Sequence, residues 1–381
     1  MGQTTIFEML YPTFKIDKEI KLITLFSGYD SQALSLRYLG VPFIHHKTCE
    51  WAVKSIQALK DLHFAEDNTD YSKDLNKVQL QEYLFNKGIS QNYNVPMTRE
   101  QINRLNEGNL RTIYNNIQAT HNLVNIQQVK GKDLEIVDTD KYCYIMTYSF
   151  PCQDLSLAGK GKGMSDTSTR SGMLWEVERI LTELEKKPQV LLMENVPQVH
   201  GADNVEDFNK WQLRLEELGY KNYWQDLIAT DYGIPQTRNR TFMVSILGDY
   251  NYTFPKSIPL KLKLKDMLED NVDEKYYLSE KMLKGMMKTN FNSYKLESRL
   301  QDTGGAIDTL LTSSGERCPH LVEVSPKLKI KNATKKGYLE ATDGDGIDIS
   351  SRMQFHRGTV QKDKIQTLTC GGGARFRSCD K

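Results

Sequence analysis

Four places in this chain combine residue types that do chemistry with an extended, strand-like segment beside them. The run Tyr144-Ile145-Met146-Thr147-Tyr148 reads as a buried strand and stops at Pro151-Cys152-Gln153, which puts a thiol at a strand's carboxyl end. In an open α/β sheet, ligands bind in the crevice beyond those ends, a position suited to a nucleophile. Taken alone, Cys152 also reads as a half-buried structural thiol beside a turn-forming proline. The strand-like Val190-Leu191-Leu192-Met193 ends the same way in a carboxylate, Glu194, followed by Asn195. After Pro235, alternation turns Gln236, Arg238 and Arg240 to one side of an extended segment. Two guanidiniums on one face need anionic partners, either structural carboxylates or phosphate and developing negative charge. Finally, the strand-like residues 43–49 deliver Glu50 and Trp51, an acid for sugar hydroxyls and an aromatic face for a nucleobase.

Elements that would hold these residues follow from the pattern around them. Leu22-Ile23-Thr24-Leu25-Phe26 reads as a strand, Ser27-Gly28-Tyr29-Asp30 as a tight turn, and Ser31 as the N-cap of a helix that Gly40 closes. With the strand at 43–49 this is a β-α-β unit whose glycine turn and acid, about twenty positions on, suit a nucleoside ribose. Only Gly28 is present and the G-x-G-x-x-G run is not, which favours a nucleoside smaller than a dinucleotide; an ordinary strand-turn-helix with an exposed acid has the same pattern. Residues 53–132 are polar and helical in pattern, with Thr98 and Gln101 at capping-box spacing ahead of Ile102, Leu105, Leu110, Ile113 and Ile117. Helices are expected from Met173 to Leu184 and around Phe208, Trp211 and Leu215, and strands at 220–228 and 241–247. Residues 158–172 carry four glycines with Lys160, Lys162 and Arg170. Such a loop can close over a substrate and meet phosphates, or be a charged surface loop.

A length of 381 residues fits one large domain and a smaller one, and 39% hydrophobic residues suit a globular protein. The N-terminus lacks a signal-peptide pattern and no apolar run approaches membrane-spanning length, so a cytoplasmic protein with no membrane partner is expected. Its six cysteines form no C-x-x-C pair, which argues for reduced thiols and no metal site. The net charge of +1 leaves room for a local basic cleft.

In order, the chain has Phe26-Ser27-Gly28 with Glu50-Trp51, then Phe150-Pro151-Cys152-Gln153, Glu194-Asn195-Val196, Gln236-x-Arg238-x-Arg240, and Arg357 with Gln366-Thr367-Leu368-Thr369. This ordered set resembles the DNA (cytosine-5) methyltransferases of bacteria and phages over almost the whole length. The resemblance implies an α/β fold, a doubly wound Rossmann-like sheet with a smaller target-recognition domain. Residues 1–250 would form the catalytic domain, with 53–132 a mostly helical insertion. Residues 251–350, where Lys261 to Lys265 alternates lysine with leucine, would read the target in the major groove, and 351–381 would begin the return to the catalytic domain.

The resemblance implies S-adenosylmethionine held by Phe26, Gly28, Tyr29, Asp30, Glu50, Trp51, Asn125 and Pro151. Cys152 would attack carbon 6 of an extruded cytosine, Glu194 would protonate N3, and Arg238 or Arg240 would hold O2. Gln153, Ser156, Lys160, Lys162, Arg170, Gln236 and Arg357 would touch double-stranded DNA. The expected enzyme is a monomer without a metal, working in a restriction-modification setting beside a cognate endonuclease. Asp30 stands where many members have a second glycine, and Asn125 where they have an acid for the adenine amino group. The family's final segments, which return to the cofactor site, have no counterpart before Lys381, so reduced activity is expected of the chain. An RNA cytosine-5 methyltransferase and a DNA-binding remnant without activity are the alternatives that this reading leaves.

Overall fold

The computed structural model describes residues 12–151, 171–269, 272–273, 303–309, 328–331, 338–341, 346–348 and 359–361. Cys152, Gln153, Ser156, Lys160, Lys162, Arg170, Arg357 and the segment 366–369 lie outside the described residues. Two compact units divide the chain at Leu260 and Lys261.

The first unit is built on a six-stranded sheet. Strands β1 (Glu19–Leu25), β2 (Phe43–Cys49), β3 (Tyr142–Tyr148), β4 (Val190–Asn195), β5 (Tyr220–Ile228) and β6 (Asn239–Leu247) lie in the order β2-β1-β3-β4-β6-β5. The first four are parallel, while β6 runs antiparallel to both β4 and β5. Leu22, Ile23, Thr24 and Leu25 are all buried; since alternate side chains of a strand point to opposite faces, both faces of β1 are covered. From β1 the chain goes outward to β2 and then back to β3 on the other side, so the loops after β1 and β3 diverge. A crevice at the strands' carboxyl ends is the consequence.

Helices α6 (Leu174–Glu183) and α7 (Val205–Glu217) carry the expected apolar faces. Leu174, Val177, Ile180, Leu181, Phe208, Trp211 and Leu215 join Ile23, Leu25, Tyr144, Met146, Tyr148, Leu191 and Met193 in one core. Each large side chain buried this way contributes about 1.5–3 kcal/mol. The buried Trp211 indole donates to the Tyr148 hydroxyl at 3.1 Å, which satisfies both groups inside the core.

Helix α1 spans Ser31–Tyr38, and its N-cap is Asp30 rather than Ser31. Asp30 sits at φ 59°, a left-handed conformation that Asp tolerates better than most residues, and its carboxylate accepts from the Ala33 N–H. In residues 53–132 the structure has four helices: α2 (Val53–His63), α3 (Lys77–Lys87), α4 (Arg99–Asn103) and α5 (Glu107–Ala119). Thr98 and Gln101 do form the capping box. The apolar spacing from Ile102 to Ile117 nonetheless spans two helices, because the Asn106 side chain accepts from Asn109 N and starts a new one. These helices bury Ile56, Leu80, Leu84, Ile102, Leu110 and Ile117 in an apolar cluster of their own. Ala52 bridges to Ser90 and Thr48 to Asn122, so the excursion leaves from the end of β2 and returns beside it.

The first unit runs on to Leu260, past the expected boundary at residue 250. The reason lies in backbone pairing: Asn251 N–H donates to Pro12 O at 3.0 Å and Ile258 N–H to Asp231 O at 2.8 Å, tying 251–258 to the unit that precedes them. In the second unit, a 3-10 turn at Leu264–Met267 interrupts the lysine-leucine alternation. Strands β7 (Leu328–Lys331) and β8 (Tyr338–Ala341) pair antiparallel there, as do β9 (Gly346–Asp348) and β10 (Thr359–Gln361). No described helix is long and apolar enough to cross a membrane.

Candidate active site

At the end of β1 the backbone turns through three left-handed residues, Phe26, Gly28 and Asp30, at φ 55°, 56° and 59°. Such conformations cost a non-glycine residue about 1–2 kcal/mol, so the surroundings must hold them. A Cβ on Gly28 would meet nothing within 4 Å, so glycine serves the backbone angle there and open space lies over the turn. Gly28 N–H donates to Glu50 Oε2 at 2.9 Å and Ala52 N–H to Oε1 at 2.7 Å. Burial pushes the Glu50 carboxyl up, and amides of Ala52, Gly28 and Trp51 oppose that shift. A carboxylate has about four acceptor sites, and these three amides leave room for another donor.

Asn122 is a functional residue that sequence reasoning missed. Its Oδ1 accepts from Glu50 N at 3.0 Å and from Val124 N at 2.9 Å, while its Nδ2 donates to Glu50 O at 3.0 Å. The side-chain amide thus acts as a strand neighbour for the acid just past the end of β2. Nothing local in the sequence signals this, because 72 residues separate the two.

The other expected cofactor residues fall out differently. Tyr29 is exposed, and its carbonyl is 2.8 Å from His63 Nε2. Trp51 is half-buried against the helical cluster. Asn125 is buried and its Oδ1 accepts from Gln127 N at 3.1 Å, so the oxygen expected to meet an adenine amino group already caps the turn that follows it.

Asp30 is fully buried, with Thr24 Oγ1 at 3.4 Å and His45 Nδ1 at 3.6 Å from Oδ2. Its carboxylate therefore works inside the fold, and only its backbone faces the turn. Burial raises it from 3.8 to about 6, against the pull of the Ala33 amide, Thr24 and Arg37, while burial lowers His45 to about 3 and keeps that ring neutral. Between pH 4 and 6 the folded chain holds the Asp30 proton more tightly than the unfolded one, so this group's contribution to stability falls as pH rises through that window. Asp30→Asn keeps a capping side chain but cannot titrate. Its stability relative to wild type should therefore rise by up to about 3 kcal/mol between pH 4 and pH 8. Denaturant midpoints at both pH values check this; a pH-independent difference would contradict it.

The second half of the site gathers at the ends of β3 and β4 and the start of β6. Asn239 and Arg240 open β6, which pairs with β4 so that Glu194 faces Phe242 and Asn195 faces Thr241. Arg238 Nη2 and Arg240 Nε both reach Glu194 Oε1, at 3.2 Å and 3.1 Å. The shared face expected for these arginines is real, and the anion they meet is a carboxylate of the chain itself. Ser149 Oγ donates to the other oxygen, Oε2, at 2.6 Å. Next to it, Asn195 Nδ2 donates to Phe150 O at 3.1 Å and its Oδ1 accepts from Val196 N. Two side-chain bonds running in opposite directions thereby tie β4 to the segment that leads through Pro151 to Cys152. Gln236 is half-buried, and its N–H donates to Ile234 O at 2.7 Å.

Among the described residues the free thiols are Cys49 and Cys143, both buried. Desolvation pushes Cys143 up to about 11 and Cys49 higher still, so neither supplies a thiolate near neutral pH.

Comparison with known proteins gives the family. Residues 85–380 match the family model of the C-5 cytosine-specific DNA methylases. The chain is 37% identical over 264 residues to the type II methyltransferase M2.ScrFI of Lactococcus lactis subsp. cremoris, covering 68% of this chain and 70% of that relative. It is 33% identical over 285 residues to the orphan methyltransferase M.SssI of Spiroplasma monobiae, covering 73% and 71%. Among solved structures, the S. pombe Dnmt2 methyltransferase aligns over 80% of this chain and 74% of its own at 14% identity, with a TM-score of 0.49. Given the family match over residues 85–380 and relatives above 30% identity along two thirds of its length, this chain belongs to the C-5 cytosine-specific DNA methylases, enzymes that use S-adenosylmethionine as methyl donor.

Proposed function

We propose that the chain methylates carbon 5 of cytosine in duplex DNA, at a sequence read by the unit beginning at Lys261. The observation that carries this reading is the cluster of Glu194, Arg238 and Arg240 beside the strand that runs on to Pro151 and Cys152. One strand away, the turn at Gly28 and the buried Glu50 fit a nucleoside. The fit rests on open space over Gly28 and on acceptor capacity left at Glu50, which suits ribose hydroxyls. When bound there, S-adenosylmethionine supplies an electrophilic methyl group on a sulfonium.

The chain's own residues do the rest. Carbon 5 of cytosine is a weak nucleophile until carbon 6 carries an added group, and a thiolate at Cys152 makes and later breaks such a bond. Addition pushes negative charge toward N3 and O2. Glu194 supplies a proton at N3, and Arg238, more exposed than Arg240, holds Glu194 through Nη2 and has further N–H groups to offer O2. The target base must leave the stack before it reaches these groups.

Bisulfite sequencing of DNA from cells expressing the chain tests the proposal. Protected cytosines should recur in one sequence context and vanish in cells without the chain. Uniform conversion in both would refute the reading.

A further inference from the structure

The two oxygens of Glu194 have unlike neighbours. Among the described residues, Oε1 faces only guanidinium N–H groups, from Arg238 at 3.2 Å and Arg240 at 3.1 Å. Guanidiniums donate and never accept, so a proton placed on Oε1 would point at cations and break both contacts. Oε2 meets the Ser149 hydroxyl at 2.6 Å. A hydroxyl is donor and acceptor at once and rotates between the roles at little cost. Of the two oxygens, only Oε2 can be protonated with every contact around the carboxyl kept.

We infer that Ser149 is a positioning residue that lets Glu194 carry its exchangeable proton on Oε2 and so sets which oxygen serves cytosine N3. The inference rests on the proposed function above. In the acid form, Oε2–H donates to Ser149 Oγ while both arginines hold Oε1 and fix the carboxyl plane. When the base enters, Oε2–H turns from Ser149 Oγ to the N3 lone pair, and as sulfur bonds to carbon 6 that proton passes to N3. Glu194 becomes a carboxylate, and the serine hydroxyl turns to donate to Oε2, as it does in this structure. Once carbon 5 has taken the methyl group, C4=N3 re-forms and the N3 proton returns to Oε2. The C5 proton then leaves to a base carried by solvent, its bonding pair forms C5=C6, and the carbon–sulfur pair returns to sulfur, so no net proton is consumed at this carboxyl.

Placement strengthens the argument. Ser149 directly follows β3, and the reciprocal bond from Asn195 to Phe150 O holds the segment after β3 to β4. Ser149 and Glu194 are thereby held to each other at the ends of one strand pair, as proton transfer from a positioned carboxyl requires. Cys49, buried one strand beyond β1, plays no part in this pair.

The experiment uses the full chain and four variants, Ser149→Ala, Ser149→Thr, Glu194→Gln and the double Ser149→Ala/Glu194→Gln, with duplex DNA in single turnovers. Affinities for S-adenosylmethionine and for DNA are measured on the same preparations. Ser149→Ala should slow methyl transfer by about tenfold or more with both affinities within about twofold of wild type. Ser149→Thr, which keeps the hydroxyl, should recover most of the rate. Adding Ser149→Ala to Glu194→Gln should cost nothing further, since the serine acts through the carboxyl alone. Full activity of Ser149→Ala, an equal extra loss in the double variant, or a parallel loss of both affinities would each overturn the inference. A wild-type chain that transfers no methyl group would instead remove the function on which it rests.

Discussion

Replacing Cys152 with serine is expected to lower methyl transfer by about 10⁴-fold or more while leaving DNA affinity within a small factor of wild type. A free thiol with an ordinary pKa is a few per cent thiolate at neutral pH, whereas a serine hydroxyl supplies almost no alkoxide. Contacts to phosphates do not involve the thiol, so binding should survive. No other described cysteine can stand in, because burial holds Cys49 and Cys143 in the thiol form. Duplex DNA carrying 5-fluorocytosine gives the sharper measurement: fluorine cannot leave as the C5 proton does, so the wild-type chain should be trapped covalently and the serine variant should not. Equal adduct yields would take Cys152 out of the mechanism.

The second large effect should come from Glu194→Gln, a loss of about 10²–10⁴ in the rate of transfer, the range over which a positioned general acid acts. Glutamine is close in shape, its carbonyl can still accept from Arg238 and Arg240, and its amide can reach Ser149. What it cannot do is give N3 a proton and take it back. Affinity for the methyl donor should change little, because Glu50 and the Gly28 turn lie across β3 from this carboxyl. Single-turnover rates at saturating DNA and donor decide the matter. A rate within tenfold of wild type would show that a hydrogen bond suffices and that no proton is transferred from this position.

How much of this was legible in the sequence depended on whether the cause was local. Runs such as Tyr144 to Tyr148 and Val190 to Met193 announced strands because they are short, rich in β-forming residues and free of charged breaks, and their ends marked Pro151 and Glu194. Alternation likewise put Arg238 and Arg240 on one face. It could not say whether phosphate or carboxylate would meet them, and the antiparallel pairing of β4 with β6 answered that. Ser31 was the obvious cap by residue type, yet Asp30 took the role because the turn forced it into a left-handed conformation. Asn122 and Ser149 carried no signal at all. Each acts on a residue far along the chain, and only the neighbouring of strands, which no local pattern encodes, brings them together. Asn125 was chosen by its place in a motif, and its oxygen also accepts from Gln127 N, a local contact that the motif does not announce.

The helical excursion between β2 and β3 starts and finishes against the same strand, with Ala52 bridged to Ser90 and Thr48 to Asn122. Its two ends are thus pinned close together whatever lies between them. The entropy of closing a loop rises only with the logarithm of its length, about 0.6 kcal/mol per doubling. With an apolar cluster of its own to offset the ordering of its helices, the excursion places little mechanical demand on Glu50. Segments of different size spliced in between Ala52 and Asn122 should therefore leave the acid's backbone in the same register. An engineer inserting a reporter domain should choose this junction over the loops beside Pro151 or Gly28.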